Sequence, residues 1–284
     1  MNLRPHLDAA ARFDAEYGNK LSNHLPMALV ALSRLGADAA RLDAFAAHYA
    51  SRLHAAPPAQ PWPAGEAWQS RFGDPQAWPI YRGLFNEWFD DEGAPAVLAQ
   101  ALPPLLRGVG AAAFHGLIRT ASALAAGHSH ELADALAYWA CRWFSLGEPP
   151  SGGRLRDPAT TLEQLARLAA ERYAASADFT VLHLVTSAHA LRLVLPWLDG
   201  DEAAAALGHY WLAYAAGHVA SGLAEEPRRA LAPAPLLPWP ALVARAIASD
   251  DEHLIKLVDS CREQERAYAG TVWREAAARA AAGA

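Results

Sequence analysis

The sequence predicts an all-α fold, and three observations lead to this class. Alanine, leucine and arginine dominate the 284 residues while β-branched residues are sparse, so intrinsic propensity favours helices over strands. No extended segment shows the apolar–polar alternation of a half-buried strand. Four segments are similar to one another, and each begins an apolar helix. We therefore expect packed helical hairpins, with no sheet beyond an incidental hairpin.

The chain is expected to form a single domain over residues 1–284. Its hydrophobic content of 53% is sufficient for a substantial core. Proline and glycine concentrate in residues 54–63, 147–158 and 227–240, which predicts connections between helical blocks because proline removes a backbone donor.

The composition also limits which classes of binding partner are expected. A net charge of −6 without a basic stripe argues against nucleic acid, and a small-molecule ligand fits better. No window approaches the ~18 uninterrupted apolar residues of a membrane span, and the charged N-terminus does not fit a signal peptide. Only Cys141 and Cys261 are present, which excludes a disulfide framework and predicts a cytoplasmic location.

The four similar segments each place a histidine at the head of an apolar helix. They read NHLPMALVAL, FHGLIRTASAL, LHLVTSAHAL and EHLIKLVDS, with the heading histidines His24, His115, His183 and His253. A second, alanine-rich helix with aromatic residues follows each one. About four helical hairpins packed around one axis would bring the histidines together as a metal site, whereas four capping or core histidines are the alternative.

Lysine occurs where the repeats otherwise have uncharged residues. Lys256 lies three residues after His253, and the corresponding positions after the other histidines hold Met27, Ile118 and Thr186. Only one other lysine occurs in the chain, which suggests a chemical need for an amine.

Burial lowers the pKa of a lysine, and the neutral amine can add carbon dioxide to give a carbamate, which is a carboxylate to a metal. The alternative is an amine that reaches water or pairs with Asp250, Asp251 or Glu252. Four imidazoles and one carboxylate would suit Fe(II), with one position open for dioxygen. Zinc and manganese remain alternatives for the same ligands.

Two further residues are candidates for acid–base or orienting roles beside the site, His189 and Arg119. His189 follows His183 by six residues, so the two side chains point about 120° apart on one helix. The need for NAD(P)H stays open, since no fingerprint for it occurs in the sequence. The aromatic-rich residues 62–89 could line a pocket for a flat ligand or simply pack against the core.

From Tyr17 to Trp273 the chain resembles the questin oxidase-like family. The resemblance is carried by NHLPMALVALSRLGA from Asn23, FHGLIRTA from Phe114, DFTVLHLVTSAHA from Asp178 and DDEHLIKLV from Asp250. These gapped motifs in the same order are more specific than any one alone.

The resemblance implies an iron-dependent oxygenase whose site consists of histidines and a carboxylated lysine. On this chain the matching positions are His24, His115, His183, His253 and Lys256. Its substrate would be a polycyclic or phenolic aromatic compound that reacts with dioxygen, with oxidative ring cleavage as the outcome. The alternative function is a non-catalytic helical-repeat scaffold in which the histidines are structural.

Overall fold

Helices form nearly all of the regular structure in the computed structural model, which describes residues 2–149, 158–222, 231–232 and 234–283. These residues contain one two-stranded antiparallel sheet, β1 (Glu16–Tyr17) and β2 (Leu21–Ser22). They also contain twelve α-helices: α1 (Arg4–Ala10), α2 (Leu25–Leu35), α3 (Ala39–Ala50), α4 (Trp78–Leu106), α5 (His115–Ala126), α6 (Ser129–Arg142), α7 (Pro158–Ser176), α8 (Phe179–Val194), α9 (Gly200–Ala220), α10 (Trp239–Ala248), α11 (Glu252–Tyr268) and α12 (Val272–Gly283). The predicted all-α class is confirmed.

The helices follow one another in four similar units. The hairpins α2–α3, α5–α6, α8–α9 and α11–α12 begin at the four segments that the sequence comparison identified. Each hairpin is preceded by a further helix, α1, α4, α7 or α10, so the repeating unit has three helices. The predicted connections lie between units, although residues 150–157, 223–230 and 233 are outside the described residues.

The first helices of the four hairpins form a closed inner ring. Helix α2 packs against α5, α5 against α8, α8 against α11, and α11 against α2. The remaining helices pack around them, for example α6 on α5 and α12 on α11. The N-terminal halves of the inner helices are almost entirely buried, and α2 and α8 are apolar around most of their circumference, as is typical of core helices.

Helix α8 illustrates this burial. The segment Phe179–Trp197 is long and apolar enough to cross a membrane by length and composition, but 67% of it is buried inside the domain. Every residue from Val181 to Leu191 is buried. Its apolar composition is therefore that of a core helix in a soluble globular domain.

Aspartates define the start of two inner helices. The carboxylate of Asp178 accepts hydrogen bonds from the backbone N–H groups of Thr180 (2.8 Å) and Val181 (3.1 Å), which caps α8. Asp251 caps α11 by accepting from the N–H of His253 at 2.8 Å. These caps fix the first turns of the helices that carry His183 and His253.

A strained turn precedes α5. Three consecutive residues, Ala112, Ala113 and Phe114, have positive φ angles of 48°, 52° and 67°. The left-handed conformation costs an L-residue about 1–2 kcal/mol, so such a run persists only where its surroundings enforce it. The turn delivers the carbonyl of Ala112 to the ring of His115.

Replacing Ala113 with glycine tests this turn. Ala113 is exposed, so Ala113→Gly removes little packing and relieves the left-handed strain, and we expect the free energy of unfolding to rise by about 0.5–1 kcal/mol. The matched control Ala205→Gly, at an exposed position inside α9, should lower it by about 1 kcal/mol. Urea denaturation measures both, and equal destabilisation by the two substitutions would contradict the turn conformation.

Candidate metal centre

The four repeat histidines meet at the N-terminal ends of the inner helices. Their ring centroids are 4.7 Å apart for His24 and His115, 4.9 Å for His115 and His183, 5.7 Å for His183 and His253, and 4.7 Å for His253 and His24. The Nε2 atoms of His24 and His115 are 2.7 Å apart. Nitrogen atoms bound to one ion at about 2.0–2.1 Å lie roughly 3 Å apart when the bonds are at right angles, so these two nitrogens are close enough to share an ion.

Hydrogen bonds orient two of the rings. The Nδ1 of His115 donates to the carbonyl of Ala112, and the Nδ1 of His183 donates to the carbonyl of Phe179 at 2.8 Å. A carbonyl can only accept, so the proton of each neutral ring is on Nδ1 and the lone pair on Nε2. Metal-binding histidines are typically held in this way by a partner on the second nitrogen.

Carboxylates surround the second nitrogens of the other two rings. The Nδ1 of His253 is 3.6 Å from Asp251 and 3.7 Å from Glu252, and the Nδ1 of His24 is 3.9 Å from the same Oε1 of Glu252. The Nε2 of His253 is buried and has no hydrogen-bond partner. An orphaned buried imidazole nitrogen in a histidine cluster fits a site that holds a metal ion.

Glu252 is the residue of this site that sequence reasoning missed. Ligand atoms of His24, Glu252 and His253 lie within 4.8 Å of one another, and the carboxylate is also 3.7 Å from Arg52. The sequence analysis considered Glu252 only as an ion-pair partner of Lys256. A carboxylate directly before a repeat histidine is the signal that could have indicated it.

Lys256 is buried beside the histidines. Its Nζ is 3.2 Å from the Nδ1 of His24, and burial lowers the pKa of the amine to about 8, although Glu252 and Asp251 act in the opposite direction. The amine is therefore buried and does not reach solvent, while Glu252 and Asp251, the acidic partners of the alternative interpretation, are near enough to act on its pKa. A lysine placed here has an appreciable neutral fraction near pH 7.

Three of the four histidines, His24, His115 and His183, are held in the neutral form. Burial, together with the charge of Lys256, lowers the pKa of His183 to about 3. The same causes hold the pKa values of His24 and His115 well below the ordinary value, with burial as the larger cause in each. A metal binds the neutral form of imidazole. At pH 7 these rings therefore do not have to lose a proton before a metal can bind.

A cavity of about 700 Å³, the large cavity, opens directly onto the four histidine rings. Phe179 stands at its floor, with its ring centroid 4.8 Å from those of both His183 and His253. One wall is a smooth face of small residues on α9, Ala213, Ala216, Gly217 and Ala220. This shape suits a flat apolar molecule.

The aromatic-rich residues 62–89 are not among those that line this cavity. Their rings pack on one another, with centroids 5.0 Å apart for Trp62 and Tyr81 and 5.7 Å for Trp68 and Phe85, which favours the alternative that they pack against the core. Residues 62–77 connect α3 to α4, and residues 78–89 form the first turns of α4.

His189 and Arg119 lie away from the large cavity, and neither is among the described residues that line it. His189 is buried one and a half turns beyond His183, and its Nδ1 accepts from Arg192 at 3.3 Å. Arg119 is buried in an ion pair, with Nε 2.6 Å and Nη2 3.0 Å from the carboxylate of Glu131. Their suggested roles in catalysis stay predictions that this geometry does not favour.

This all-α protein therefore has a candidate metal centre, a ring of four histidines, three of them buried, beside a large cavity. The chain belongs to the questin oxidase-like family, which it matches over residues 21–148 and 156–261. Membership implies an oxidase-type enzyme, and the resemblance seen in the sequence is confirmed. None of the curated proteins is significantly similar to this chain.

We expect Arg119 to act on stability. Arg119→Met leaves the buried carboxylate of Glu131 without its partner and should lower the free energy of unfolding by about 3–5 kcal/mol. The double variant Arg119→Met/Glu131→Leu should recover much of that loss. The control Arg71→Met breaks an exposed, solvent-screened pair with Glu66 and should leave the free energy of unfolding nearly unchanged in the same denaturation assay. A small effect of Arg119→Met would show that the pair is not structural.

His189 predicts a pH dependence of stability. Burial, with Arg192 and Arg34 adding to it, lowers the pKa of His189 to about 3, so between pH 6.5 and 3 the unfolded chain binds a proton that the folded chain does not. Stability contributed by the neutral ring is therefore present above pH 6.5 and lost as the pH falls, at about 1.4 kcal/mol per pH unit.

Denaturation of the metal-free protein at pH 7 and pH 5 measures this contribution of His189 to the free energy of unfolding. His189→Gln should lose about 2 kcal/mol less than the wild type between these two pH values. His54→Gln, at an exposed histidine, is the control and should follow the wild type. If both variants follow the wild type, His189 is not held neutral by the fold.

Proposed function

We propose that this protein is a non-haem iron-dependent oxygenase that acts on a polycyclic or phenolic aromatic substrate, with oxidative ring cleavage as the outcome. The observation that carries the proposal is the orphaned Nε2 of His253, buried among three other neutral histidines at the floor of the large cavity. Iron, when bound, supplies the electron transfer that activates dioxygen. Zinc or manganese could occupy the same ligands.

His24, His115, His183 and His253 would hold the ion through their Nε2 atoms, with Lys256 as the fifth ligand in the form of a carbamate. The buried ammonium form of Lys256 beside a dication would be unfavourable, because desolvation and like-charge repulsion act in the same direction. Carboxylation removes both costs and supplies an anionic oxygen ligand.

Glu252 has a defined role in this proposal. When the lone pair of His24 is on Nε2, the proton of the ring must be on Nδ1. The Nδ1 of His24 lies 3.2 Å from the Nζ of Lys256, while the Oε1 of Glu252 is 3.9 Å from it and 3.7 Å from the Nδ1 of His253, which is longer than a hydrogen bond. We therefore assign Glu252 as a positioning residue that would act on both rings through its negative charge.

The walls of the large cavity would hold the substrate. The small residues of the α9 face allow a flat ring to approach closely, while the ring of Phe179 offers an aromatic surface next to the histidines. The protein would work in the cytoplasm on a small molecule and dioxygen, and not on nucleic acid or at a membrane. Two buried, free cysteines are compatible with that reducing compartment.

Metal analysis after anaerobic addition of ferrous iron tests the centre. We expect the wild type to retain about one iron per chain through gel filtration, because four ligands are preformed. His253→Ala should lose most of the iron, whereas His54→Ala, which removes an exposed histidine, should keep it. A wild type that stays metal-free with iron, manganese and zinc would favour the scaffold alternative.

Lys256→Arg tests the carbamate. Arginine stays protonated and cannot form a carbamate, so we expect oxygen uptake with hydroxylated aromatic compounds to be lost although charge and approximate length are kept. Uptake would be measured with and without NAD(P)H on folded, iron-loaded protein. The reverse exchange Arg266→Lys, at the exposed end of α11, should leave uptake unchanged. Normal turnover by Lys256→Arg would make Lys256 a structural residue.

A further inference from the structure

A second and much smaller cavity lies on the axis of the inner ring, below the histidines. Its volume is about 30 Å³, which is room for about two water molecules. All four inner helices line this axial cavity at the same offsets from their histidines, three, six and seven residues, and α2, α5 and α8 add the residue at offset ten. The residues are Met27, Val30, Ala31 and Arg34 of α2, Ile118, Ala121, Ser122 and Ala125 of α5, Thr186, His189, Ala190 and Leu193 of α8, and Lys256, Asp259 and Ser260 of α11.

Lys256 borders the axial cavity and is not among the described residues that line the large cavity. The ring of His24, whose Nδ1 is 3.2 Å from the amine, lines the large cavity, whereas Lys256 does not. The free space that Lys256 borders therefore lies along the axis of the ring, on the other side of the histidines from the large cavity. The axial cavity is too small for an aromatic ring, so the two cavities take ligands of different size.

The walls of the axial cavity suit a small uncharged molecule with polar bonds. Helices α2 and α5 contribute mainly apolar residues, while α8 and α11 contribute hydroxyl groups such as those of Thr186 and Ser260. The carboxylate of Asp259 is neutralised by Arg34, whose Nε lies 3.0 Å from Oδ2. Because this charge is already paired, it would give an ion no electrostatic stabilisation. A molecule with polar bonds and no net charge, in contrast, fits both the apolar and the polar walls.

The lower end of the axial cavity is adjacent to solvent-accessible space. Val30, Arg34 and Ala125 line both the axial cavity and a surface cavity of about 340 Å³ next to α1. Ala125 is exposed, so the boundary between the two cavities lies at the protein surface. The surface cavity and the axial cavity thus lie one after the other, from the protein surface towards Lys256. This surface is on the opposite side of the domain from the large cavity.

We propose that the axial cavity is the site from which carbon dioxide reaches the Lys256 amine. The proposal rests on the carbamate proposed above and adds the route by which it forms. In the reaction the amine nitrogen bonds to the carbon of carbon dioxide, one C=O electron pair moves to oxygen, and one proton leaves the nitrogen to water. This arrangement lets Lys256 be carboxylated whether or not the large cavity holds substrate.

Cyanate labelling tests this route without depending on the carbamate or on a metal. Isocyanic acid has the size and shape of carbon dioxide, and it adds irreversibly to an amine to give a urea, with the amine proton moving to the reagent nitrogen. The chain has only two lysines, so peptide mass spectrometry resolves Lys256 from the exposed Lys20. Lys20 lines the large cavity and reports access from that side, so the absolute rate at Lys256 is the measured quantity.

Three variants distinguish the routes. Ala190→Leu fills the axial cavity, Ala125→Leu narrows its exposed lower end without altering the core, and Ala216→Leu narrows the large cavity. In metal-free protein we expect the first two to slow labelling of Lys256 by about ten-fold or more, because the close-packed interior offers no other path, and Ala216→Leu to have little effect. Ala125→Leu decides the matter if Ala190→Leu does not fold.

Slower labelling in Ala216→Leu alone, or equal labelling in all variants, would overturn the axial route. The carbamate itself is tested separately, by carbon-13 NMR of zinc-loaded wild type equilibrated with labelled carbon dioxide. Axial labelling by cyanate with no carbamate signal would refute the proposed ligand while leaving the access route to Lys256 established. A carbamate signal with labelling through the large cavity would do the reverse.

Discussion

The structure depends on one packing constraint, the closure of four helices into a ring in which all of them run in the same direction. Their N-terminal ends meet at the histidines, and Arg34 of α2 meets Asp259 and Glu263 of α11 near the other end. Four helix dipoles therefore direct their positive ends at one point, which disfavours further positive charge there and favours anions. This positive potential is compatible with neutral imidazoles and with the negatively charged caps Asp178 and Asp251. It is also compatible with a lysine that can lose its charge.

The ring also separates two kinds of space. Beyond the histidines, the β1–β2 hairpin, the turn before α5 and the face of α9 enclose a cavity of about 700 Å³, while below the histidines the close-packed inner helices leave about 30 Å³. Lys256 lies one helical turn below His253, at the boundary between the two. Lys256, the proposed fifth ligand, therefore borders the axial cavity and not the large cavity.

Buried ion pairs outside the candidate metal centre hold together the helices that position it. Arg119 of α5 pairs with Glu131 of α6, and Arg82 of α4 pairs with Asp134 at 2.8 Å, so that buried ion pairs link three neighbouring helices. The left-handed turn at residues 112–114 stores strain next to His115, and the packing of α5 against α6 and α8 sustains it. The ligand-bearing end of α5 is thus fixed from both sides.

The sequence by itself determined the helical class, the family, the equivalence of the four histidines and the inward direction of the position three residues later, because each of these follows from composition or from a repeated local pattern. Only the tertiary structure decided which polar residues meet. In the tertiary structure, Arg119 forms a buried ion pair and His189 lines the axial cavity. The aromatic residues 62–89 pack away from the site, and Glu252 lies beside His24. These contacts join helices that are distant in the chain, and the packing of the ring, rather than any local pattern, sets which side chains face one another.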